Sequence, residues 1–161
     1  MVLAANPCPC APADPMDCIC VPTAKRRYLG KLSGPLLDRV DLRVEMHTAR
    51  AGAFAVEDGE STAVVRERVA AARAVAEQRW HPHGIRTNAE VSGALLRRKF
   101  RLEATAMAPL RTALDRGLLS IRGVDRTLRV AWTLADLAGR TSPGIQQVST
   151  ALSFRRGGGA R

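Results

Sequence analysis

Aromatic side chains are scarce in this sequence: they make up 4% of its 161 residues, although 46% of the residues are hydrophobic. A packed core must therefore be built from Ala, Val and Leu, and this favours helices because Ala and Leu are good helix formers. No apolar run approaches the roughly 20 residues of a membrane span. The amino terminus has no charged segment followed by an apolar one, so no signal peptide is expected. These absences predict a cytoplasmic protein without a membrane partner.

Lysine is also rare, because 22 of the 25 basic residues are Arg. With 15 acidic residues the net charge is +10. One interpretation is that the excess charge attracts phosphate polymers such as nucleic acids. The other is that the chain is a piece of a longer protein whose acidic part is elsewhere, with an Arg-rich composition set by its genome. Composition alone does not separate the two.

The sequence divides near residue 55 into two parts of different character. In the first part, residues 1–6 have the pattern of a buried strand, residues 7–22 are irregular because of their prolines, and residues 23–32 form a short helix. Residues 40–46 alternate apolar and charged side chains, which is typical of a half-buried strand. We therefore expect an α/β remnant of a larger domain over residues 1–55.

The second part, residues 56–155, is predicted to be an all-α bundle. Residues 48–59 have no periodicity and are interpreted as a linker. The apolar spacing then predicts helices over residues 61–79, 92–99, 102–116, 120–137 and 144–154. The Gly/Arg-rich tail, residues 156–161, is expected to be disordered.

Four cysteines form two C-x-C pairs in the irregular segment: Cys8 with Cys10, and Cys18 with Cys20. Four thiolates can surround a zinc ion, and two short pairs on one proline-stiffened loop can supply them. The spacing is shorter than the usual C-x-x-C pair, and four free or partly oxidised thiols are the alternative. His81 and His83 flank a proline in a loop and are not assigned to the metal. The sequence predicts a structural zinc site made of the four cysteines.

Three stretches of the sequence resemble a known family. Residues 4–10 read Ala-Ala-Asn-Pro-Cys-Pro-Cys, residues 27–42 end in the highly specific block Ser-Gly-Pro-Leu-Leu-Asp-Arg-Val-Asp-Leu, and residues 120–131 begin Ser-Ile-Arg-Gly-Val-Asp-Arg. Together they resemble the C-terminal part of the magnesium-chelatase-like AAA+ ATPases of the ComM/YifB type. The sequence departs from the family pattern at Ala11, where Gly is usual, and at Trp132, where a basic residue is common.

The resemblance implies an AAA+ core followed by a helical lid, and a hexameric ring of identical subunits. It implies that Asn6 is the sensor 1 residue, which orients the attacking water, and that Arg39 is the arginine finger on a neighbouring subunit's nucleotide. Without the resemblance, Asn6 is equally well a turn residue before a proline. Arg39 is then a salt-bridge partner of Asp38 or Asp41.

The resemblance also implies that an arginine at the start of the helix predicted over residues 120–137 contacts nucleotide phosphates as sensor 2. Arg122 is the first candidate and Arg126 the second. Arg129 lies on roughly the same helix face, so the assignment among the three stays open. A solvated helix face is the alternative for all of them.

No G-x-x-x-x-G-K-[ST] phosphate-binding loop occurs in the sequence, and no apolar strand ends in paired acids. We therefore expect a C-terminal fragment that belongs to an ATP- and Mg-dependent ring, that remodels DNA as part of it, and that is not an autonomous ATPase. The alternative is a non-enzymatic, zinc-stabilised basic module that binds nucleic acid, with the basic run at residues 97–101 as its contact. A chelatase subunit acting on a porphyrin is a third possibility, which no motif supports.

Overall fold

The computed structural model describes residues 2–46 and 59–156. Its contacts divide the chain into two units. The first comprises Met1–Val40 and Met46–Val56, and the second comprises Asp41–Glu45 and Glu57–Arg161. Among the described residues, no helix combines the length and the apolar character needed to span a membrane.

The first unit contains two short helices, α1 (Pro22–Leu29) and α2 (Gly34–Asp38), and a 3-10 turn at Pro15–Asp17. Proline stands at the start of each of these elements, where its fixed φ suits a helix and its missing N–H is not needed. The α2 helix is capped by Ser33, whose hydroxyl accepts a hydrogen bond from the Leu36 N–H.

The second unit is a bundle of five helices in the described part of the chain: α3 (Thr62–Trp80), α4 (Gly93–Arg97), α5 (Ala104–Asp115), α6 (Ile121–Leu137) and α7 (Ile145–Arg156). The hydroxyls of Ser61, Ser92 and Ser120 cap α3, α4 and α6 in the same way. The helix α6 packs against α3, α4, α5 and α7 and so forms the centre of the bundle. The helical interpretation of residues 56–155 therefore agrees with the structure.

The core of the bundle combines small aliphatic side chains with a few large rings. Trp80 is fully buried at the end of α3. Its ring lies 4.6 Å from that of Phe100 and 5.6 Å from that of Trp132, both in edge-on contacts. Three of the five described Phe, Trp and Tyr rings thus meet at one point, which concentrates the chain's limited aromatic surface where burial stabilises most.

A buried polar network crosses the bundle beside these rings. The Trp80 indole N–H donates to Asn88 Oδ1 at 2.7 Å, and Asn88 Nδ2 donates to Asp136 at 2.8 Å. Arg79 donates two hydrogen bonds to the Asp136 carboxylate, and its guanidinium lies 4.4 Å from the centre of the Trp132 ring. The side chains of Trp80, Asn88 and Asp136 thus have hydrogen-bond partners, as buried polar groups require. The buried Trp132 indole N–H beside them has none among the described residues. The network fixes the turn at Asn88–Glu90 against α3 and α6.

The predicted α/β remnant is wrong, because the described residues contain no β-strand. Residues 40–46 alternate as a strand does, but Leu42, Val44 and Met46 are 50%, 58% and 88% exposed instead of half-buried. A strand is stabilised by hydrogen bonds to neighbouring strands, and the described chain offers none. The Arg43 N–H instead donates to the Phe154 carbonyl at the end of α7, at 2.9 Å.

The predicted strand at residues 1–6 is absent for the same reason, and its described apolar side chains Val2 and Leu3 are 96% and 53% exposed. The predicted linker at residues 48–59 and the predicted tail at residues 156–161 lie outside the described residues, apart from Gly59 and Arg156. Those two predictions keep the status of expectations.

Candidate functional site

The four cysteines of the first unit meet at one point. Their sulfur atoms all lie within 4.8 Å of one another. The Sγ–Sγ distances are 3.4 Å between Cys8 and Cys10, 3.6 Å between Cys10 and Cys18, and 3.5 Å between Cys8 and Cys18. Four sulfurs at the zinc–thiolate distance of about 2.3 Å would stand roughly 3.8 Å apart in a tetrahedron. The cluster can therefore hold a metal ion with small adjustments, and none of the cysteines is in a disulfide.

The backbone around the cluster directs N–H groups at the sulfur atoms. Cys8 accepts a backbone hydrogen bond from Ala11, Cys10 from Ile19, and Cys18 from Cys20. Such bonds stabilise thiolates, which are the form that binds a metal. The 3-10 turn at Pro15–Asp17 lies between the two C-x-C pairs and brings the second pair back to the first.

The thiols of the cluster differ in acidity. The backbone hydrogen bond from Cys20, together with the Lys25 ammonium on α1, lowers the pKa of Cys18 to about 6 against the opposing effect of burial. Burial and hydrogen bonds with Cys10 and Cys18 raise the pKa of Cys8. A hydrogen bond with Cys20 raises the pKa of Cys10. The Cys18 thiolate thus forms readily in the bare cluster, and Cys8 and Cys10 gain most from a cation that favours their deprotonated form.

Ala11 lies at the tight turn that follows the first cysteine pair. Its φ is 45°, and among the described residues it is the non-glycine residue with a positive φ. An L-residue with a Cβ is strained in this left-handed region, whereas glycine is not. The turn therefore explains in physical terms why glycine suits this position better than alanine.

The other predicted residues of the first unit are exposed. Asn6 precedes the turn that carries the first cysteine pair and lies in no regular element. Arg39 is the C-cap residue of α2, and its N–H donates to the Leu36 carbonyl at 3.0 Å. Asp41, one of the two acids weighed as a partner for Arg39, pairs with Arg126 at 2.6 Å.

The three arginines considered on α6 have different surroundings. Arg126 is bound to Asp41 as just described, and the Arg129 Nε donates to the Val91 carbonyl at 2.8 Å. Arg122 lies exposed in the first turn of α6, and within the described residues no acid pairs with it. Of the three, Arg122 therefore has the guanidinium that is most available to a ligand.

A groove of about 730 Å³ opens in the bundle between α3, α6 and the turn at Asn88–Glu90. Asn88 and Asp136 form part of its wall, and Arg73 and Arg86 lie at the lining as well. The sequence patterns predicted no role for these residues. Asn88 and Asp136 are hydrogen-bonded across 48 positions of sequence, and such a distant contact produces no local pattern.

Comparison with known families gives two matches along the chain. A family model described as "Magnesium chelatase, subunit ChlI C-terminal" matches residues 59–155. A second, described as "Magnesium chelatase, subunit ChlI", matches residues 1–54. The chain belongs to the magnesium chelatase subunit ChlI family. The family resemblance inferred from the sequence motifs is thereby confirmed.

Several curated proteins are similar to this family member. An uncharacterized protein of Mycobacterium tuberculosis (strain H37Rv) is 78% identical over 161 residues, which is 100% of this chain and 32% of that protein. The uncharacterized protein YifB of Escherichia coli K12 is 35% identical over 157 residues, covering 96% of this chain and 30% of its own. The competence protein ComM of Haemophilus influenzae is 32% identical over 157 residues, with the same coverage of 96% and 30%. The chain spans about a third of the length of the curated relatives it matches.

Proposed function

We propose that this chelatase-family chain forms the C-terminal part of a ring-shaped ATPase, in which its arginines sense and complete nucleotide sites. Membership of the family supports the proposal. The observation that carries it furthest is the contrast on α6, where Arg126 and Arg129 are engaged in contacts and Arg122 is left exposed at the start of the helix. Arg122 is thus our sensor 2 residue in preference to Arg126.

Arg39 is the arginine finger and Asn6 the sensor 1 residue in this proposal. A guanidinium stabilises charge on a transferring phosphoryl group, and an amide orients the attacking water. Residues 1–55 belong to the ATPase core and residues 56–155 to the lid. The ring is a hexamer in the cytoplasm that uses MgATP, and it acts on DNA.

The 161-residue chain is not an ATPase by itself, because its sequence has no phosphate-binding loop to hold the nucleotide and Mg²⁺. Purified chain should neither bind nor turn over ATP. ATP turnover that disappears with Arg39→Ala would contradict this part of the proposal.

The finger is tested in a chimaera, in which this chain replaces the matching third of the Mycobacterium tuberculosis relative. Arg39→Ala should lower ATP hydrolysis by about 10³-fold, the low end for an arginine finger. Arg26→Ala, an exposed arginine on α1, is the matched control and should have no effect. A finger acts on the nucleotide of the neighbouring subunit. When Arg39→Ala subunits are mixed into active rings, ATP hydrolysis should therefore fall in proportion to the fraction of Arg39→Ala subunits. Full activity of the Arg39→Ala chimaera would exclude the finger.

The metal of the cysteine cluster is zinc in this proposal, held by Cys8, Cys10, Cys18 and Cys20. Four cysteine sulfurs within 4.8 Å of one another support a closed, structural site. Elemental analysis of the purified chain should find about one zinc per chain, as one Cys₄ site requires, and Cys8→Ser/Cys10→Ser should lose it. An intact 161-residue chain that contains no zinc would refute the assignment.

Nucleic-acid binding without enzymatic activity is the second candidate function. It is favoured by the distribution of charge: residues 59–156 hold 17 basic and eight acidic side chains, so +9 of the net +10 lies in this stretch of the helical unit. Salt-dependent binding of the whole chain to DNA, measured by fluorescence anisotropy, tests it. An affinity that does not change with salt would remove this candidate.

A further inference from the structure

The excess charge of the helical unit is not spread evenly over its arginines. Several are paired with acids within the described residues: Arg68 with Glu60, Arg79 with Asp136, Arg97 with Asp125 and Arg126 with Asp41. Paired cations attract a polyanion less than unpaired ones do, since part of their field is cancelled. Unpaired cations are therefore the groups of this unit that attract a polyanion most strongly.

Three such cations stand in one short loop between α4 and α5. Arg98, Lys99 and Arg101 are exposed, and no acid pairs with any of them among the described residues. We call these three residues the basic loop. Arg97 precedes them in sequence but is bound to Asp125, so it is not part of the basic loop.

The basic loop is anchored by the one residue between its cations. The Phe100 ring packs at 4.6 Å from Trp80 and 6.1 Å from Trp132, and the Phe100 N–H donates to the Leu95 carbonyl at 3.1 Å. The backbone is thus fixed by the bundle core while the flanking cations face solvent. Because the loop is already ordered, it loses less conformational entropy when a ligand binds.

The turn at His81–His83 extends the same surface. The His83 ring contacts the Phe100 ring at 5.5 Å, so the imidazole lies directly beside the basic loop. His81 is exposed on the same turn. The His83 imidazole adds a hydrogen-bond donor for oxygen atoms next to the three full charges.

We propose that the basic loop binds the sugar–phosphate backbone of a nucleic acid. Residues 98–100 form a turn, so the three cations stand close together within four residues of chain, and a DNA strand offers them one phosphate per about 3.4 Å of helix axis. A group of cations on an exposed loop matches such a polymer, whereas a small anion would need a pocket. This inference rests on the nucleic-acid candidate function and does not depend on the ATPase proposal.

The test is the salt dependence of DNA binding by the whole 161-residue chain, with a labelled duplex of about 20 base pairs. In Arg98→Ala/Lys99→Ala/Arg101→Ala, the slope of log K against log salt should become shallower by about 2.7, because three phosphate contacts at about 0.9 each are lost. Arg98→Lys/Arg101→Lys keeps the charge and should keep the slope.

Three exposed arginines elsewhere in the helical unit supply the matched control. Arg66→Ala/Arg73→Ala/Arg140→Ala removes the same charge and should leave the slope within about 1 of the wild type. Equal slopes for the basic-loop variant and the wild type would overturn the inference while the nucleic-acid function stands. Equal losses in both triple variants would overturn it too, because net charge would then be the cause. Absence of salt-dependent binding in the wild type would overturn both. Circular dichroism of each variant verifies that the helices remain.

Discussion

Removing the Asp136 carboxylate tests whether the polar network holds the bundle together. The Asp136 side chain is 1% exposed and that of Arg79 is 12% exposed. Asp136→Ala leaves the Arg79 guanidinium without its acid in a nearly dry site. It also removes one of the acceptors to which the Asn88 side-chain amide donates. Breaking a buried pair from one side costs about 3–5 kcal/mol, which is a large part of the 5–15 kcal/mol stability of a typical domain.

The assay is urea unfolding of the whole chain, followed by tryptophan fluorescence. Asp125→Ala is the matched control, because its pair with Arg97 is partly exposed, at 18% and 40%, and should cost no more than about 1 kcal/mol. Arg79→Met/Asp136→Leu removes both charges and should cost less than Asp136→Ala alone, since no charge is left unpaired. Similar losses for Asp136→Ala and Asp125→Ala would refute the reasoning, as would a double variant that is less stable than the single one.

Three further changes test the loop, a helix start and the metal site. Ala11→Gly should tighten zinc binding several-fold in a chelator competition, because it relieves about 1 kcal/mol of strain at φ 45°, and unchanged affinity would mean that the turn is not strained. Gly93→Ala should lower the free energy of unfolding by no more than about 1 kcal/mol, since the new Cβ would displace the Asp125 carboxylate from its partly exposed pair with Arg97; a larger loss would show that Asp125 cannot move aside. Removing the metal with a chelator should make all four cysteines reactive toward a thiol reagent, whereas in the untreated chain the bound metal should protect them. Equal cysteine reactivity before and after chelation would argue against a bound metal.

The helical bundle could be predicted because its signals are local. In α6 the apolar residues Val124, Leu128 and Ala131 repeat at helical spacing and are all buried, and Ser120 and Gly139 mark its ends. The two C-x-C pairs likewise indicated one cluster, because their loop is short and stiff. What failed was the pair of strands, since an apolar run (residues 1–6) or an alternating pattern (residues 40–46) predicts a strand whether or not a partner strand exists.

The interior of the bundle could not be read from the sequence in the same way. Trp80 lies one residue beyond the helix predicted over residues 61–79, yet it is the fully buried last residue of α3. Its burial depends on Phe100 and Trp132, which are 20 and 52 positions away. Arg122 could not be distinguished from Arg126 by spacing, because the difference lies in Asp41, a partner 85 positions from Arg126.

The scarcity of aromatic residues has an optical consequence. Both tryptophans, Trp80 and Trp132, lie buried in the helical unit, while Tyr28, the sole tyrosine of the sequence, lies on α1 in the unit of the cysteine cluster. Indole emission therefore reports on the bundle alone, whereas the Tyr28 band reports on the cysteine unit once second-derivative absorbance separates it from the stronger indole absorbance. A single unlabelled sample can thus show whether the two units melt together or one after the other, and whether adding zinc shifts one signal without the other.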